Sequence, residues 1–267
     1  MKIVRFRSPG GEVLYGTFDP GVPDRATIIE GDIFGDIAIT GRVEPIECFL
    51  PPVSPPNIIA LGLNYGKHAA ETGIREPESP VLFLKATTSI VGHGSPIVLP
   101  TAGPDEVDYE AELAVIIGKK AKNVSRADAP NYVLGYTCAN DVSARDWQMN
   151  KQKKQWARGK SFDTFCPIGP YLVTKDEVEN ADRLRIRAIL NGEVMQDSNT
   201  SDLIFDIPAI ISDISCSLTL LPGTVILTGT PEGVGFARIP PVFLKEGDSV
   251  TISIEHIGEL TNPVTRE

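Results

Sequence analysis

Residues Lys2 to Arg7 alternate apolar and basic side chains, and Val13 to Phe18 resume an apolar run after the turn signal Ser8-Pro9-Gly10-Gly11. Two such runs across a Pro-Gly turn predict a hairpin. Shorter apolar runs follow at 26–30 and 37–40. Pro51-Pro52-Val53-Ser54-Pro55-Pro56 then breaks the pattern, because proline lacks the amide that a helix or a central strand needs. The break separates a small β-rich N-terminal unit, residues 1–50, from a main domain, residues 57–267. In the main domain, apolar runs predict strands over 57–63, 81–84, 110–117, 133–139, 170–174, 184–190, 224–228 and 248–255. The alternation of Arg185 and Arg187 with Leu184, Ile186 and Ala188 predicts one wet face. Helical patterns fall at 64–72, 126–132, 142–150 and 202–217. Ser125 and Asp128 resemble a capping box, and Pro208 should start or kink its helix. Many strands and few helices, without regular alternation of the two, favour an α+β fold over a doubly wound sheet.

Composition narrows the functional classes. The 267 residues are 42% hydrophobic, enough for a core that needs no disulfide or metal staple. The net charge is −10, whereas a nucleic-acid binder shows the opposite sign or a basic stripe. Nucleic acid is therefore set aside as a partner. Apolar stretches such as Leu113–Ile117 are far too short to cross a membrane. No apolar stretch of signal-peptide type follows Lys2, Arg5 and Arg7. Cys48, Cys138, Cys166 and Cys216 form no C-x-x-C pair and read as reduced thiols of a cytoplasmic protein.

Five constellations carry candidate chemistry. Glu110 and Glu112 open an apolar strand, where residues two apart share a face. Two carboxylates so placed repel each other unless a cation lies between them. A hard divalent cation suits them, and a solvated strand entrance is the plainer alternative. Asp141 ends the next apolar strand and can supply a third carboxylate, or merely cap a turn. An all-oxygen set with no His or Cys points to Mg²⁺ or Mn²⁺. His68 and Glu71 are three apart on a helical pattern, where a carboxylate can orient an imidazole as general base or simply form an exposed pair. Arg145, Lys151, Lys153, Lys154, Arg158 and Lys160 stand against one acid, Asp146, a local reversal of the overall charge. That stretch suits a small polyanion, an isolated nucleic-acid groove or a solvated surface. Finally, Leu227 to Gly235 is glycine-rich enough for backbone amides to approach an anion, yet matches no nucleotide-binding pattern.

Taken together these segments resemble the fumarylacetoacetate hydrolase family. The matching stretches are Ala60 to Tyr65 with His68 and Glu71, Phe83-Leu84-Lys85, and Asp108 to Leu113. They continue with Asn140 to Asp146, Gly159 to Asp163, Leu190 to Glu193 and Leu227 to Gly235. The resemblance runs in order from about residue 57 to the C-terminus, and looks most like the family's domain-containing-protein-2 subgroup. It implies a mixed β-roll or β-sandwich core, a bound divalent metal, Mg²⁺ or Mn²⁺, and a homodimer. It implies metal ligation by Glu110, Glu112 and Asp141, and catalysis by His68, Glu71 and Lys160. It places Arg145, Gln148, Thr230 and Gly229 at a small 2-oxo carboxylate substrate. The activity implied is C–C bond hydrolysis or decarboxylation of oxaloacetate- or acylpyruvate-type acids through a metal-stabilised enolate. The alternatives are oxaloacetate keto–enol tautomerisation and a 2-hydroxyhepta-2,4-diene-1,7-dioate-type isomerisation. A non-catalytic metal-binding scaffold is the reading of another class. Two departures from the family pattern bear on the substrate. Leu63 stands where some relatives carry Arg, and Asn64 is the nearest position to a further acidic ligand of the founding hydrolase.

Overall fold

Ala111–Ile117 is the central strand, and all seven of its residues are buried. Alternate side chains of a strand point to opposite faces, so a strand this apolar needs cover on both. Leu113, Val115 and Ile117 pack on one side with Ile186, Ile252 and Leu260. Ala114 and Ile116 pack on the other with Ile58, Leu172 and Val225. The computed structural model describes every residue except Gly103, Pro104 and Gln152.

The central strand lies antiparallel between Val133–Asn140 and Val225–Leu227. Val225–Leu227 runs parallel to Ile58–Gly62, which pairs antiparallel with Val81–Lys85. The chain then returns, and Ile90–Val91 pairs with the start of Cys166–Thr174, itself the neighbour of Val133–Asn140. The sheet thus curls back on itself, with Ile58, Ala60, Ala114, Ala139 and Leu227 facing inward. Five strands cover its outer face, in the order Glu193–Asn199, Arg185–Leu190, Ser249–Ile254, Gly258–Arg266 and Ile97–Leu99. The result is an α+β fold with a mixed β-roll and sandwich core. Arg185–Leu190 has the expected wet face, burying Ile186, Ala188 and Leu190.

The first fifty residues form the hairpin Lys2–Arg7 and Val13–Phe18, then Arg25–Gly31, Ile37–Pro45 and Cys48–Leu50. Lys2–Arg7 pairs antiparallel with Cys166–Thr174, so these strands extend the curled sheet outward.

Among the described residues three α-helices form: α1 (Gly66–Thr72), α2 (Trp156–Lys160) and α3 (Ile207–Ser217). α3 begins where Asp206 caps it, its side chain accepting from the Ala209 amide at 2.9 Å, with Pro208 in the first turn. The helix expected over 126–132 shrinks to the 3-10 turn Ala129–Tyr132. Ser125 and Asp128 do bond reciprocally, at 2.6 and 3.2 Å, but lead into no α-helix. The helix expected over 142–150 is replaced by a short ladder, Ser143–Ala144 against Val107–Asp108, and then one wide π-type turn over Asp146–Lys151. The physical reason is that Asp141, Ser143 and Arg145 are all buried polar residues spaced by two. An extended backbone carries all three to one face, whereas a helix would scatter them.

Candidate active site

The site forms where adjacent strands of the roll end side by side. Register brings its carboxylates together. Ala111 pairs with Asn140 and Glu112 with Ala139, so Asp141 emerges opposite Glu110, its amide donating to the Glu110 carbonyl at 3.0 Å. On the other side Ala114 pairs with Leu227, which carries Gly229 level with Glu112. The Gly229 amide donates to Glu112 Oε2 at 2.7 Å. One oxygen from each of Glu110, Glu112 and Asp141 lies within 4.8 Å of the other two, and all three residues are buried.

Three cations answer them. Lys160, at the end of α2, donates to Glu110 Oε2 and Asp141 Oδ2, each at 2.8 Å, and to Ser143 Oγ at 2.6 Å. Arg145 Nη1 is 2.7 Å from Glu110 Oε1, and its Nε donates to Asp108 Oδ2 at 2.9 Å. Lys85, from the inward face of Val81–Lys85, donates to Asp141 Oδ1 and to the Phe165 carbonyl at 2.9 Å. Burial alone raises a carboxyl pKa. At Glu110 the Lys160 and Arg145 charges outweigh burial and hold the carboxyl well below its usual range. At Glu112 burial is reinforced by the charges of Asp141 and Glu110, and the carboxyl is pushed well up. Burial works against the Lys160 ammonium, but Asp141 and Glu110 raise its pKa on balance. Of the six cations between 145 and 160, only Arg145 and Lys160 are buried here. Lys151, Lys153, Lys154 and Arg158 face solvent.

The three carboxylates fit a hard divalent cation. Their donor set is all oxygen, and Glu112 Oε1 is buried without a hydrogen-bond partner. A group whose folded pKa is raised contributes stability below its unfolded pKa and loses it as pH rises through the folded value. Metal-free protein is therefore expected to lose stability as pH rises through the Glu112 transition. Glu112→Gln should flatten that dependence and abolish divalent-cation binding, as read by thermal melts over pH and by calorimetric titration of Mn²⁺.

His68 of the dyad faces this cluster across an open cleft. His68, Glu110, Arg145, Gln148, Lys160 and Thr230 line it together. α1 supplies the dyad. His68 Nδ1 and Glu71 Oε2 are 3.1 Å apart, and Glu71 Oε1 accepts from the Gly233 amide at 2.9 Å. Burial raises the Glu71 pKa, but the hydrogen bonds from His68 and Gly233 prevail and hold it below the usual range. With Glu71 accepting from Nδ1, the second imidazole nitrogen remains for a ligand.

The sequence model described as fumarylacetoacetate (FAA) hydrolase C-terminal matches residues 57–265. The chain belongs to the fumarylacetoacetate hydrolase family. A second model, described as Rv2993c-like, N-terminal, matches residues 1–47 of this family member. A Xenopus laevis protein named oxaloacetate tautomerase fahd2, mitochondrial, is 51% identical over 82% of this chain and 68% of its own length. The Homo sapiens protein named oxaloacetate tautomerase FAHD2A, mitochondrial, is 42% identical over 99% of this chain and 91% of its own. The crystal structure titled 2-hydroxyhepta-2,4-diene-1,7-dioate isomerase from Mycobacterium marinum superposes with a TM-score of 0.86 at 42% identity. It covers 100% of this chain and 99% of that one. Among the described residues, no helix is long and apolar enough to cross a membrane.

The remaining expected site residues of this fumarylacetoacetate hydrolase family member divide into two groups. Gln148 accepts from Arg145 Nη1 at 3.0 Å, and the Thr230 hydroxyl accepts from Gln196 at 2.9 Å, leaving its proton free for the cleft. Gly229 lies off the cleft wall, its amide committed to Glu112. Its φ of +100° and the 2.8 Å that a Cβ would leave to Asn64 explain the glycine. Asn64 is no free ligand. Its amide nitrogen donates to the Thr228 and Phe205 carbonyls at 2.8 and 3.1 Å, and its oxygen accepts from the Phe205 amide at 2.9 Å. It clamps the loops beneath the site.

Residue reading missed three further contributors. Asp108 accepts from the Tyr109, Gly235 and Phe236 amides as well as from Arg145, so one buried carboxylate ties the glycine loop to the guanidinium. Lys85 pins Asp141, and its signal was Phe83-x-Lys85, a lysine sharing a face with a core aromatic. Gln196, which joins the Ala111 amide to Thr230, sits in a polar strand with no such signal.

Proposed function

We propose that this family member is an oxaloacetate keto–enol tautomerase working with bound Mg²⁺ or Mn²⁺. The observation that carries the reading is one cleft with His68 and its Glu71 partner facing Lys160, Arg145 and three carboxylates. The tautomerase names of the Xenopus and human relatives support it, at 51% and 42% identity. So does the isomerase title of the Mycobacterium marinum structure, since both names describe reactions with no net gain or loss of atoms.

Glu110, Glu112 and Asp141 would hold the cation, which when bound supplies a Lewis acid to the 2-oxo oxygen. Arg145 and Gln148 orient the substrate carboxylate at the buried end of the cleft. Ketonisation of the enol releases the hydroxyl proton to solvent as the substrate binds as its enolate, and delivers a proton to carbon 3. Solvent returns one proton to His68 after each turnover, so nothing is gained or lost. His68, protonated on both nitrogens for that step, gives up its outward proton to carbon 3. Glu71 stabilises the transient imidazolium. Negative charge on the enolate oxygen is balanced by Lys160. In the reverse direction neutral His68 takes the proton from carbon 3. Phe83, Trp156 and Phe236 give the cleft apolar walls that limit water, which a hydrolysis would need.

The test follows enol-oxaloacetate by ultraviolet absorbance with Mg²⁺ present, and pyruvate in parallel through a coupled dehydrogenase. The enzyme should accelerate enol loss by about 10²-fold or more over buffer, the usual scale of a positioned acid–base group. Pyruvate should not exceed the enzyme-free control, and excess EDTA should abolish the acceleration. Pyruvate formed as fast as the enol disappears would instead make the protein a decarboxylase. A hydroxydiene-dioate substrate forms a second arm, because the isomerase title favours proton transfer along a longer conjugated chain as a second reading.

A further inference from the structure

The cleft changes character from floor to mouth. Glu110, Arg145, Gln148 and Lys160 form the floor, each under 9% exposed. The mouth is apolar: Leu63, Ile74, Met149 and Trp156. Ile74 is 45% and Met149 40% exposed, unusual for large apolar side chains flanking a polar site. The wall is braced. Trp156 stands edge-on to Phe83 at 6.1 Å and leans on Gly62, where a Cβ would come within 2.3 Å of the indole. Leu63 holds a left-handed backbone, φ +55°, to reach the cleft.

Charge separates the two ends as well. With Glu112 deprotonated, as holding a cation requires, Asp108, Glu110, Glu112 and Asp141 oppose Lys85, Arg145 and Lys160, leaving one negative charge among these groups. A divalent cation turns this into one positive charge, enough to balance one substrate carboxylate. Arg145 and Lys160 are the only Lys or Arg residues among the described cleft residues, and both are bound at the floor. A second carboxylate, such as that of oxaloacetate, meets no Lys or Arg among the described residues lining the mouth and would stay hydrated there. An apolar group in its place would cover Ile74 and Met149 and take their surface out of water.

We propose that the same cleft also tautomerises monocarboxylic 2-oxo acids whose third carbon carries an aromatic or other apolar group, arylpyruvates being the simplest. The step is the one already described: the enol O–H bond breaks, a C–H bond forms at carbon 3, and nothing is oxidised or reduced. This inference rests on the tautomerase reading and adds the substrate class that the apolar mouth selects.

The experiment measures kcat/KM for the enols of phenylpyruvate and oxaloacetate with the Mg²⁺-loaded wild type, Met149→Lys and Ile74→Ser. Wild type should turn over both, with the lower KM for phenylpyruvate. Met149→Lys, at an exposed position, should lower kcat/KM for phenylpyruvate about tenfold, or about 1.4 kcal/mol, and raise it for oxaloacetate. Ile74→Ser should lower the phenylpyruvate value without raising the other. Oxaloacetate turnover with no acceleration of phenylpyruvate overturns this inference and leaves the tautomerase reading standing. Acceleration of neither enol overturns both. Phenylpyruvate turnover that is indifferent to both variants removes the mouth as the selecting surface.

Discussion

His68→Ala is expected to lower kcat for enol-oxaloacetate by about 10²–10⁴-fold, the range of a positioned acid–base group. KM and Mn²⁺ affinity should change little, because the three carboxylates, Lys160 and Arg145 keep their mutual contacts without the imidazole. Helix α1 should stay docked, since Glu71 keeps the Gly233 amide and the Lys67 amide donates to Asp202 at 3.0 Å. The pH dependence has a definite sign. The Glu71 pKa is held low, so what its carboxylate contributes is complete above its unfolded pKa and is lost as pH falls through the lowered folded value. Activity should therefore fail on the acid side below the ordinary carboxylate range. A kcat profile over pH for wild type and Glu71→Gln checks this, the variant lacking that acid limb.

Lys160→Met should have the largest effect on the resting protein. The ammonium bridges Glu110 and Asp141 inside the fold, and its removal leaves two buried carboxylates with less compensation. Breaking one side of a buried ion pair costs about 3–5 kcal/mol. At this chain length that is on the order of ten degrees in Tm for the metal-free protein. Mg²⁺ should restore much of that loss by mass action on the folded state. Activity should not return, because the charge that Lys160 places beside the enolate oxygen is gone. Thermal melts with and without Mg²⁺, alongside enol kinetics, separate the two roles. Equal melting of wild type and variant without metal would contradict the bridging role.

The parts of this site that were legible in the residues are those that need only a period. Glu110 and Glu112 share a face because a strand has a period of two, and His68 meets Glu71 because a helix has neighbours at three. Asp141 needed more. Its place beside Glu110 depends on which strands pair and in what register, which no single segment encodes. Lys160 depends on α2, a five-residue helix too short to leave a pattern. The segment 142–150 misled because its polar residues look helical on the surface, whereas burial of Asp141, Ser143 and Arg145 sets an extended course. One local signal went unread. Asn191-Gly192, at φ +52° and +87°, is the two-residue turn that folds Glu193–Asn199 back on Arg185–Leu190 and so delivers Gln196 to Thr230.

The account stands most directly on proton transfer at carbon 3 without cleavage of the carbon chain. Proton NMR of oxaloacetate in deuterium oxide, with the Mg²⁺-loaded enzyme, follows exchange at carbon 3 and any pyruvate in one spectrum. The account predicts exchange well above the enzyme-free rate, its loss in His68→Ala, and no pyruvate beyond the control. Pyruvate appearing in step with the label, or exchange no faster than in buffer, would contradict it.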